Sequence, residues 1–167
     1  MVEAYSFTSK PIVEALVEAN QRGVHVEAIL DKSNERDKRS GMWRLVSAGV
    51  PILVDWKPNI AHNKVMIIDH SVLITGSFNF STAAEKRNAE NLLVIHDDPT
   101  LVASYLANYE KRKKLSDVFH PGDKPHEQEF DPEVWINNVL WLLGGAVLGF
   151  VLRSFLSWKA RGHSGSA

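Results

Sequence analysis

The stretch that decides the fold is "AHNKVMIIDHSVLITGSFNFS", which runs from Ala61 to Ser81. The segments "HNKVMIID" and "SVLITGSF" predict two neighbouring β-strands, and "DHS" predicts the tight turn between them. Strands joined by so short a connection must pair antiparallel. The other residues of these two strands are almost uniformly apolar. The histidine, the lysine and the Gly-Ser-x-Asn sequence therefore need a separate explanation. We therefore treat this stretch as a candidate functional site.

Strand-like and helix-like segments alternate on both sides of this pair. Upstream, "AYSF", "VHVEAIL" and "VPILVDW" predict strands, and residues 9–23 and 38–49 predict helices that stop at a glycine. Downstream, "NLLVIH" predicts a further strand and residues 99–115 predict a final helix. This alternation predicts an α/β fold, with a mixed β-sheet flanked by helices on both faces.

The polar residues of the central stretch suit phosphate chemistry. Residues two apart on a strand point to the same face, so His62 and Lys64 should project together, as should Ser77 and Asn79. A histidine can act as a nucleophile or as an acid near neutral pH. Ammonium, hydroxyl and amide donors around it could hold an anionic phosphorus centre without a metal ion. An isolated His-x-Lys pair would more often mark an exposed strand end.

The complete pattern is more specific than that pair. It reads His-x-Lys, four residues, Asp, six residues, Gly-Ser-x-Asn, and resembles the signature of the phospholipase D superfamily without any departure in spacing. The similarity runs from about residue 4 to residue 115. It is closest to small bacterial endonucleases that carry a single copy of the motif, whose segments resemble "AYSFTS", "GSFNFS" and "AEKRNAENLLVI" here. The resemblance implies a metal-independent phosphodiesterase that forms a phosphohistidine intermediate and needs no cofactor.

The resemblance also assigns roles residue by residue. His62 would be the nucleophile or the acid, Lys64 and Asn79 phosphate ligands, and Ser77 a further hydroxyl of the site. Glu90, in "NAEN", matches the acidic residue that hydrogen-bonds and orients the histidine. Such a contact fixes the tautomer of the imidazole and raises its basicity. Two residues of the motif, Asp69 and Gly76, are expected to be structural, with Asp69 capping the turn between the strands.

The chemistry needs two histidines, but the chain carries the motif once. The remaining histidines lack the flanking lysine and the Gly-Ser-x-Asn sequence; they are His25, His70, His96, His120, His126 and His163. We expect a homodimer in which each subunit supplies one His62 to a site on the twofold axis. The alternative is that another histidine of the same chain supplies the acid.

Composition leaves the substrate open. The chain has 19 Lys and Arg against 20 Asp and Glu and no cysteine, which excludes disulfides and thiol catalysis but indicates no overall basic field. Local cations that could follow a nucleic-acid backbone are Lys32, Arg36, Lys38, Arg39, Arg44, Lys86 and Arg87. A solvated surface would explain them equally well. Nucleic acid, DNA or RNA, is the preferred substrate, a phospholipid such as cardiolipin is the alternative, and an inactive membrane protein that only binds nucleic acid is the third possibility.

The C-terminal part of the chain has a different composition. Residues 1–115 are predicted to form the phosphodiesterase domain, and residues 116–133 a polar, acidic linker. No charged residue occurs over the nineteen positions from Val134 to Leu152, which as a helix would span about 28 Å, close to the thickness of a bilayer core. We therefore predict a transmembrane helix over residues 134–158, a C-terminal hydrophobic helix of the fold, followed by a short basic tail at 159–167. A core helix packed on the first domain is the alternative.

Topology and the start of the chain carry two further expectations. A tail anchor would leave the catalytic domain in the cytoplasm, whereas the basic residues after the apolar segment favour a periplasmic or external domain. Proteins of this superfamily usually have a strand and a helix before the segment that matches "AYSFTS". That strand and helix are expected to be missing here, which would weaken the sheet and the dimer.

Overall fold

The structure, a computed structural model, describes residues 1–127. Seven strands form one sheet: β1 (Val2–Ala4), β2 (Ala28–Asp31), β3 (Ile52–Asp55), β4 (Lys64–Ile68), β5 (Val72–Gly76), β6 (Leu92–Ile95) and β7 (Asp117–Val118). Their order in the sheet is β6-β5-β4-β1-β2-β3-β7. The helices are α1 (Lys10–Gln21), α2 (Met42–Ser47), α3 (Thr82–Lys86) and α4 (Pro99–Leu115), with a short 3-10 helix at Lys32–Glu35.

The sheet is mixed, as the sequence predicts. Strands β1, β2 and β3 are parallel to one another, whereas β4, β5 and β6 form an antiparallel meander beside β1. The predicted turn between β4 and β5 has Asp69 and His70 at φ 51° and 54°, and Ser71 N–H donates to the Ile68 carbonyl. Two consecutive positive φ angles twist a hairpin in the direction that its strands require. The hairpin predicted from "DHS" is therefore confirmed.

Helices cover both faces of the sheet because apolar side chains alternate along the central strands. One face contributes Leu30 and Val54 to a core with helices α1 and α2. The opposite face contributes Ile29 and Leu53 to a second core under α4, where Tyr109 is fully buried. Complete burial of one such aliphatic side chain contributes about 1.5–3 kcal/mol. The predicted arrangement, a mixed sheet with helices on both faces, is thus confirmed for the described residues.

The segment after α4 is folded, which differs from the linker that its composition predicts. Strand β7 pairs antiparallel with β3, and Phe119 is buried against Trp43 at a ring-centroid distance of 5.5 Å. Asp117 accepts a hydrogen bond from the Trp56 indole, and Asp123 accepts one from the His120 backbone. Acidic composition predicted a solvated chain, but these two carboxylates have fixed partners. Residues 117–126 therefore belong to the folded block.

The predicted transmembrane helix, residues 134–158, and the basic tail, residues 159–167, lie outside the described residues. Among the helices within residues 1–127, none combines the length and the apolar character that crossing a membrane requires.

Candidate active site

The residues of the predicted site meet at one edge of the sheet. Strands β1, β2, β3 and β5 end at this edge, whereas the antiparallel strands β4 and β6 begin there. His62 precedes β4, Lys64 is its first residue, Ser77 follows β5, and Glu90 precedes β6. Residues that are up to 28 positions apart in the sequence are thereby brought to the same edge. We call this the site edge.

A fixed loop carries His62 to the site edge. The buried carboxylate of Asp31 accepts a 2.7 Å hydrogen bond from the Ala61 backbone, immediately before the histidine. The His62 side chain is exposed, and its ring packs against Tyr5, with 4.9 Å between the centroids. Tyr5 follows the last residue of β1, so the end of that strand supports one side of the imidazole. The accessible imidazole is therefore held by its neighbours while it stays open to a substrate.

Lys64 lies beside the histidine in a largely buried position. Only 7% of the residue is exposed, and Nζ donates to the His62 carbonyl at 2.9 Å. The same ammonium lies 5.7 Å from the centroid of the Tyr5 ring. Burial lowers the pKa of Lys64 because it disfavours the charged form, and the negative charge of Glu90 partly opposes this effect. An ammonium has three N–H donors, so donors remain for an anion beyond the one bond to the His62 carbonyl.

Ser77 and Glu90 form a hydrogen-bonded pair across the β5–β6 boundary. Ser77 Oγ donates to Glu90 Oε2 at 2.6 Å and accepts from the Asn91 backbone N–H at 3.0 Å. Asn88 Nδ2 donates to the other Glu90 oxygen at 2.9 Å. The hydrogen bond from Ser77, then the one from Asn88, lowers the pKa of Glu90, and the nearby Lys64 charge adds to this. Glu90 is thus held as an ionised carboxylate beside the buried ammonium.

Gly76 is required at this boundary by its geometry. Its φ is 150°, and a Cβ added there would lie 2.2 Å from the Asn91 carbonyl oxygen. That carbonyl accepts a hydrogen bond from the Ser77 backbone at 3.0 Å. Only glycine allows β6 to approach this closely, which is the structural role expected for Gly76.

Asn79 lies three residues after β5, and one atom of its side chain has no recorded partner within residues 1–127. Its Oδ1 is buried and, among the described residues, makes no hydrogen bond. A buried amide oxygen without a hydrogen-bond donor costs free energy. Such atoms are therefore expected where a ligand or a water molecule can supply the donor. An amide oxygen accepts hydrogen bonds, so the predicted contact of Asn79 with a phosphate would be made by its amide N–H groups and not by this atom.

Two predicted contacts differ in the structure. Both Glu90 oxygens are bonded to Ser77 and Asn88, and within the described chain Glu90 makes no hydrogen bond to His62. Asp69 lies at the opposite end of the strands, and its carboxylate makes no hydrogen bond to the turn among the described residues. Its role in the turn comes from its positive φ and not from a side-chain cap. The hydrogen-bond partners expected for the Glu90 and Asp69 carboxylates therefore differ from those in the structure.

The structure separates the seven predicted nucleic-acid contacts into two groups. Lys32 donates to the carbonyls of Trp56 and Pro58, at 3.0 and 2.9 Å, and therefore fixes a loop. Arg39 and Arg44 pair with Asp37 and Glu14, which offsets their charge. The remaining cations are exposed and make no ion pair within the described residues; they are Arg36, Lys38, Lys86 and Arg87.

Three residues of the site were not singled out from the sequence. They are Tyr5, which contacts both His62 and Lys64, Asp31, which holds the His62 loop, and Asn88, which binds Glu90. For Asp31 a signal existed, since an acidic residue directly after an apolar strand lies at the edge where strands end. Tyr5 depends on a tertiary contact that spacing along the chain does not encode, whereas Asn88 lies only two residues before Glu90.

Comparison with known proteins agrees with this geometry. The family described as "Cardiolipin synthase, PLD-like domain" matches residues 1–113. A "Phospholipase D" of Rickettsia prowazekii is 45% identical over 119 residues, which cover 71% of this chain and 58% of the relative. The human "Mitochondrial cardiolipin hydrolase" is 35% identical over 107 residues, covering 64% of this chain and 42% of the relative. The chain therefore spans about half of the length of these two relatives.

A solved structure shows the same fold. Nuc from Salmonella typhimurium, described as a phospholipase D family member, is 35% identical and superposes with a TM-score of 0.67. The match covers 71% of this chain and 80% of Nuc.

Proposed function

Since the chain belongs to the phospholipase D superfamily, we propose that it is a phosphodiesterase that cleaves nucleic acid through a phosphohistidine intermediate. The observation that carries this proposal is the placement of His62 and Lys64 together at the site edge, where the Ser77–Glu90 pair also lies; Asn79 follows β5 by three residues. These groups supply a nucleophile, a cation and hydrogen-bond donors around a space that is open to solvent. No cofactor is required for this chemistry.

The reaction divides into two displacements at phosphorus. In the first, an imidazole nitrogen of His62 forms a bond to phosphorus, and the bond from phosphorus to the leaving oxygen breaks. A second, protonated histidine gives its proton to that oxygen. In the next step the same histidine takes a proton from water, the water oxygen bonds to phosphorus, and the phosphorus–nitrogen bond breaks. Lys64 and Asn79 stabilise the charge on the non-bridging oxygens in both steps.

The second histidine is proposed to come from a second copy of the chain. The sheet places His25, His70 and His96 at the edge opposite the site, since they lie before β2, between β4 and β5, and after β6. His126 lies near the site edge, but both of its ring nitrogens face carboxylates. His120 follows β7, which begins at the site edge and runs away from it. Among the described residues His62 is therefore the histidine best placed to react. A twofold axis that brings two copies of His62 together completes the site.

A dimer also brings a second histidine to Glu90. Its carboxylate is fixed and ionised, yet it makes no hydrogen bond to His62 of its own chain. We expect the orienting contact to the imidazole to be made across the dimer, to the partner subunit's His62. A carboxylate in that position would hold one tautomer and stabilise the imidazolium.

Nucleic acid is the preferred substrate because two features point to it. The chain resembles the small single-motif endonucleases in its motif and in the segments around it. Four exposed cations, which make no ion pair within the described residues, are available to bind phosphates along a nucleic-acid backbone: Arg36, Lys38, Lys86 and Arg87.

Residues 134–158 are proposed to attach the protein to a membrane.

A phospholipid is the second candidate, favoured by the surface next to Glu90. Strand β6 begins two residues later, and its Leu92, Leu93 and Val94 are exposed by 49%, 57% and 52%. Exposed apolar side chains of this kind could contact lipid chains beside the site. The human relative named mitochondrial cardiolipin hydrolase supports the same possibility.

A paired assay distinguishes the candidates. Detergent-solubilised full-length chain in EDTA is given single- and double-stranded nucleic acid in one arm and cardiolipin-containing vesicles in the other. His62→Ala is the control in both arms. Two further variants probe the surfaces: Lys86→Ser with Arg87→Ser for nucleic acid, and Leu93→Ser for lipid.

Nucleic-acid cleavage that requires His62 and weakens in the Lys86/Arg87 variant would support the proposal. Lipid turnover alone, weakened by Leu93→Ser, would replace it with the second candidate. Absence of turnover in both arms, with retained nucleic-acid binding, would instead identify an inactive binding protein.

A further inference from the structure

His126 is held by three separate parts of the fold. Its Nδ1 lies 3.0 Å from Glu35 Oε1, its Nε2 lies 3.3 Å from Asp117 Oδ2, and its backbone N–H donates to Glu35 Oε2 at 2.8 Å. The ring also stacks on Trp56, with centroids 5.5 Å apart and planes at 17°. Glu35 belongs to the 3-10 helix, Asp117 to β7, and Trp56 follows β3. We call this arrangement the His126 clasp.

The two carboxylates impose a protonation state on the ring. A neutral imidazole has one N–H, so it can donate to Glu35 or to Asp117 but not to both. The other nitrogen would then present a lone pair to a carboxylate oxygen. Only the imidazolium donates at both positions. The Glu35 side chain is 99% buried, and its two oxygens contact the backbone N–H and the ring nitrogen Nδ1 of His126.

The clasp is connected to the loop that carries His62. The Trp56 indole N–H donates to Asp117 at 3.0 Å, so the residue at the start of this loop is bound to the clasp twice. Lys32, three residues before Glu35, donates to the carbonyls of Trp56 and Pro58. The loop then reaches Ala61, which is held by Asp31. An interaction at His126 is therefore linked by direct contacts to the position of His62.

We propose that His126 is a positioning residue, which holds residues 56–61 and hence His62 in place while its ring is an imidazolium, and releases them when the ring is neutral. This reaches beyond the proposed function, and only its consequence for turnover rests on that function. The charged groups that face the ring are Glu35 from the 3-10 helix and Asp117 from β7. Lys57 contributes a cation nearby, 6.0 Å from the centroid of the Trp56 ring.

The direction of the pH response follows from these neighbours. Partial burial by itself lowers the pKa of His126, but the hydrogen bonds and charges of Glu35 and Asp117 outweigh it, so the pKa is raised above the ordinary value of 6.5. A group whose pKa is raised in the folded state contributes its full stabilisation below its ordinary pKa. That contribution is lost as the pH rises through the raised value. The clasp is thus closed below about pH 6.5 and opens on the alkaline side.

Hydrogen exchange of the full-length chain tests the clasp without any assay of activity. Protection of residues 56–61 and 119–127 is measured at about pH 5.5 and about pH 8.5, on either side of the histidine titration, and corrected for intrinsic exchange. In the wild type, the equilibrium constant for closing the clasp should be smaller at the higher pH than at the lower pH. The ratio should be about tenfold for each pH unit by which the clasp raises the pKa of His126. An NMR titration of His126 supplies that number independently. His126→Ala should lower the protection at both values, to the level that the contacts of Lys32 and Asp31 leave.

Asp117→Asn separates a pH-dependent clasp from a merely structural contact. Asparagine removes the negative charge that favours the imidazolium. It can turn either its oxygen or its amide nitrogen, but not both, toward the position where Asp117 Oδ2 faces the Trp56 indole and His126 Nε2. Protection should therefore depend less on pH in this variant than in the wild type. His120→Ala, which removes an exposed histidine of the same segment, should behave as the wild type. Equal protection of the wild type at both pH values, or a pH response in Asp117→Asn that matches the wild type, would overturn the proposal.

A second readout tests the consequence for His62. Hydrolysis of bis(4-nitrophenyl) phosphate is compared between the wild type and Asp117→Asn across the same pH range. The ratio of variant to wild-type turnover should rise as the wild-type clasp opens. A constant ratio, together with the expected exchange behaviour, would contradict the positioning of His62. Absence of turnover in every protein would count against the proposed function, while the exchange experiment would still decide whether the clasp exists.

Discussion

Ser77 Oγ donates a 2.6 Å hydrogen bond to Glu90 and accepts another from the Asn91 backbone, so the end of β5 and the start of β6 are locked together at the site edge. The carboxylate fixed by this bond also lowers the cost of keeping Lys64 charged in a buried position. One hydroxyl therefore connects the Gly-Ser-x-Asn sequence to an acidic residue thirteen positions later.

Ser77→Ala should shift the acid side of the pH–rate profile. Hydrogen bonds from Ser77 and Asn88 lower the pKa of Glu90, and a lowered carboxyl pKa keeps the anion present as the pH falls. Without Ser77 the pKa moves back toward its ordinary value. Activity should then begin to decline at a higher pH than in the wild type, which a profile measured with an activated phosphodiester would show. Ser71→Ala, an exposed serine at the opposite end of the same hairpin, serves as the control. An unchanged acid side would contradict the role assigned to this bond.

Gly76→Ala should destabilise the protein and impair the site. The added Cβ would meet the Asn91 carbonyl at 2.2 Å, in addition to the strain at φ 150°. We expect a loss of about 1–3 kcal/mol in the free energy of unfolding, measured by urea denaturation. Gly49→Ala provides a matched comparison, because Gly49 also has a positive φ but an added Cβ would meet nothing within 4 Å. If both variants lost the same stability, the close approach at Asn91 would not be the cause.

Lys64→Met should separate activity from stability. Removal of a cation that stabilises the reacting phosphate should lower turnover by about 10²–10³-fold. Burial lowers the pKa of Lys64, which means that the folded state binds this proton less tightly than the unfolded chain. At neutral pH the charged lysine therefore costs stability. The free energy of unfolding should not fall in the variant, even though one hydrogen bond to the His62 carbonyl is lost. A large loss of stability would show that Lys64 is mainly structural.

The hairpin from Lys64 to Gly76 could be predicted because its signals are local. Apolar strands, a polar tripeptide between them and residues that tolerate positive φ all lie within thirteen positions. Local patterns also predicted the helices on both faces, since strand alternation and helix periodicity are properties of short segments. The sheet brings His62, Lys64 and Ser77 of the motif to the site edge, while Asp69 lies at the opposite end of the strands.

Contacts that depend on tertiary approach could not be predicted in the same way. Strand β7 has two residues, too few for a periodic signal, and its acidic surroundings indicated a linker. The partners of Glu90 follow from how closely β6 approaches Gly76, and the contact between Tyr5 and His62 follows from the pairing of β1 with β4. The His126 clasp joins residues 91 positions apart, so only the folded chain reveals it.

Mixed dimers test most directly whether one reaction requires two copies of His62. Wild-type and His62→Ala chains are co-refolded or exchanged in known proportions, and hydrolysis of bis(4-nitrophenyl) phosphate is measured in EDTA at constant total protein. If each site needs His62 from both subunits, activity follows the square of the wild-type fraction, so an equal mixture retains about one quarter of the wild-type rate. A rate of about one half, proportional to the wild-type fraction, would show that each chain is complete by itself and would contradict the shared site.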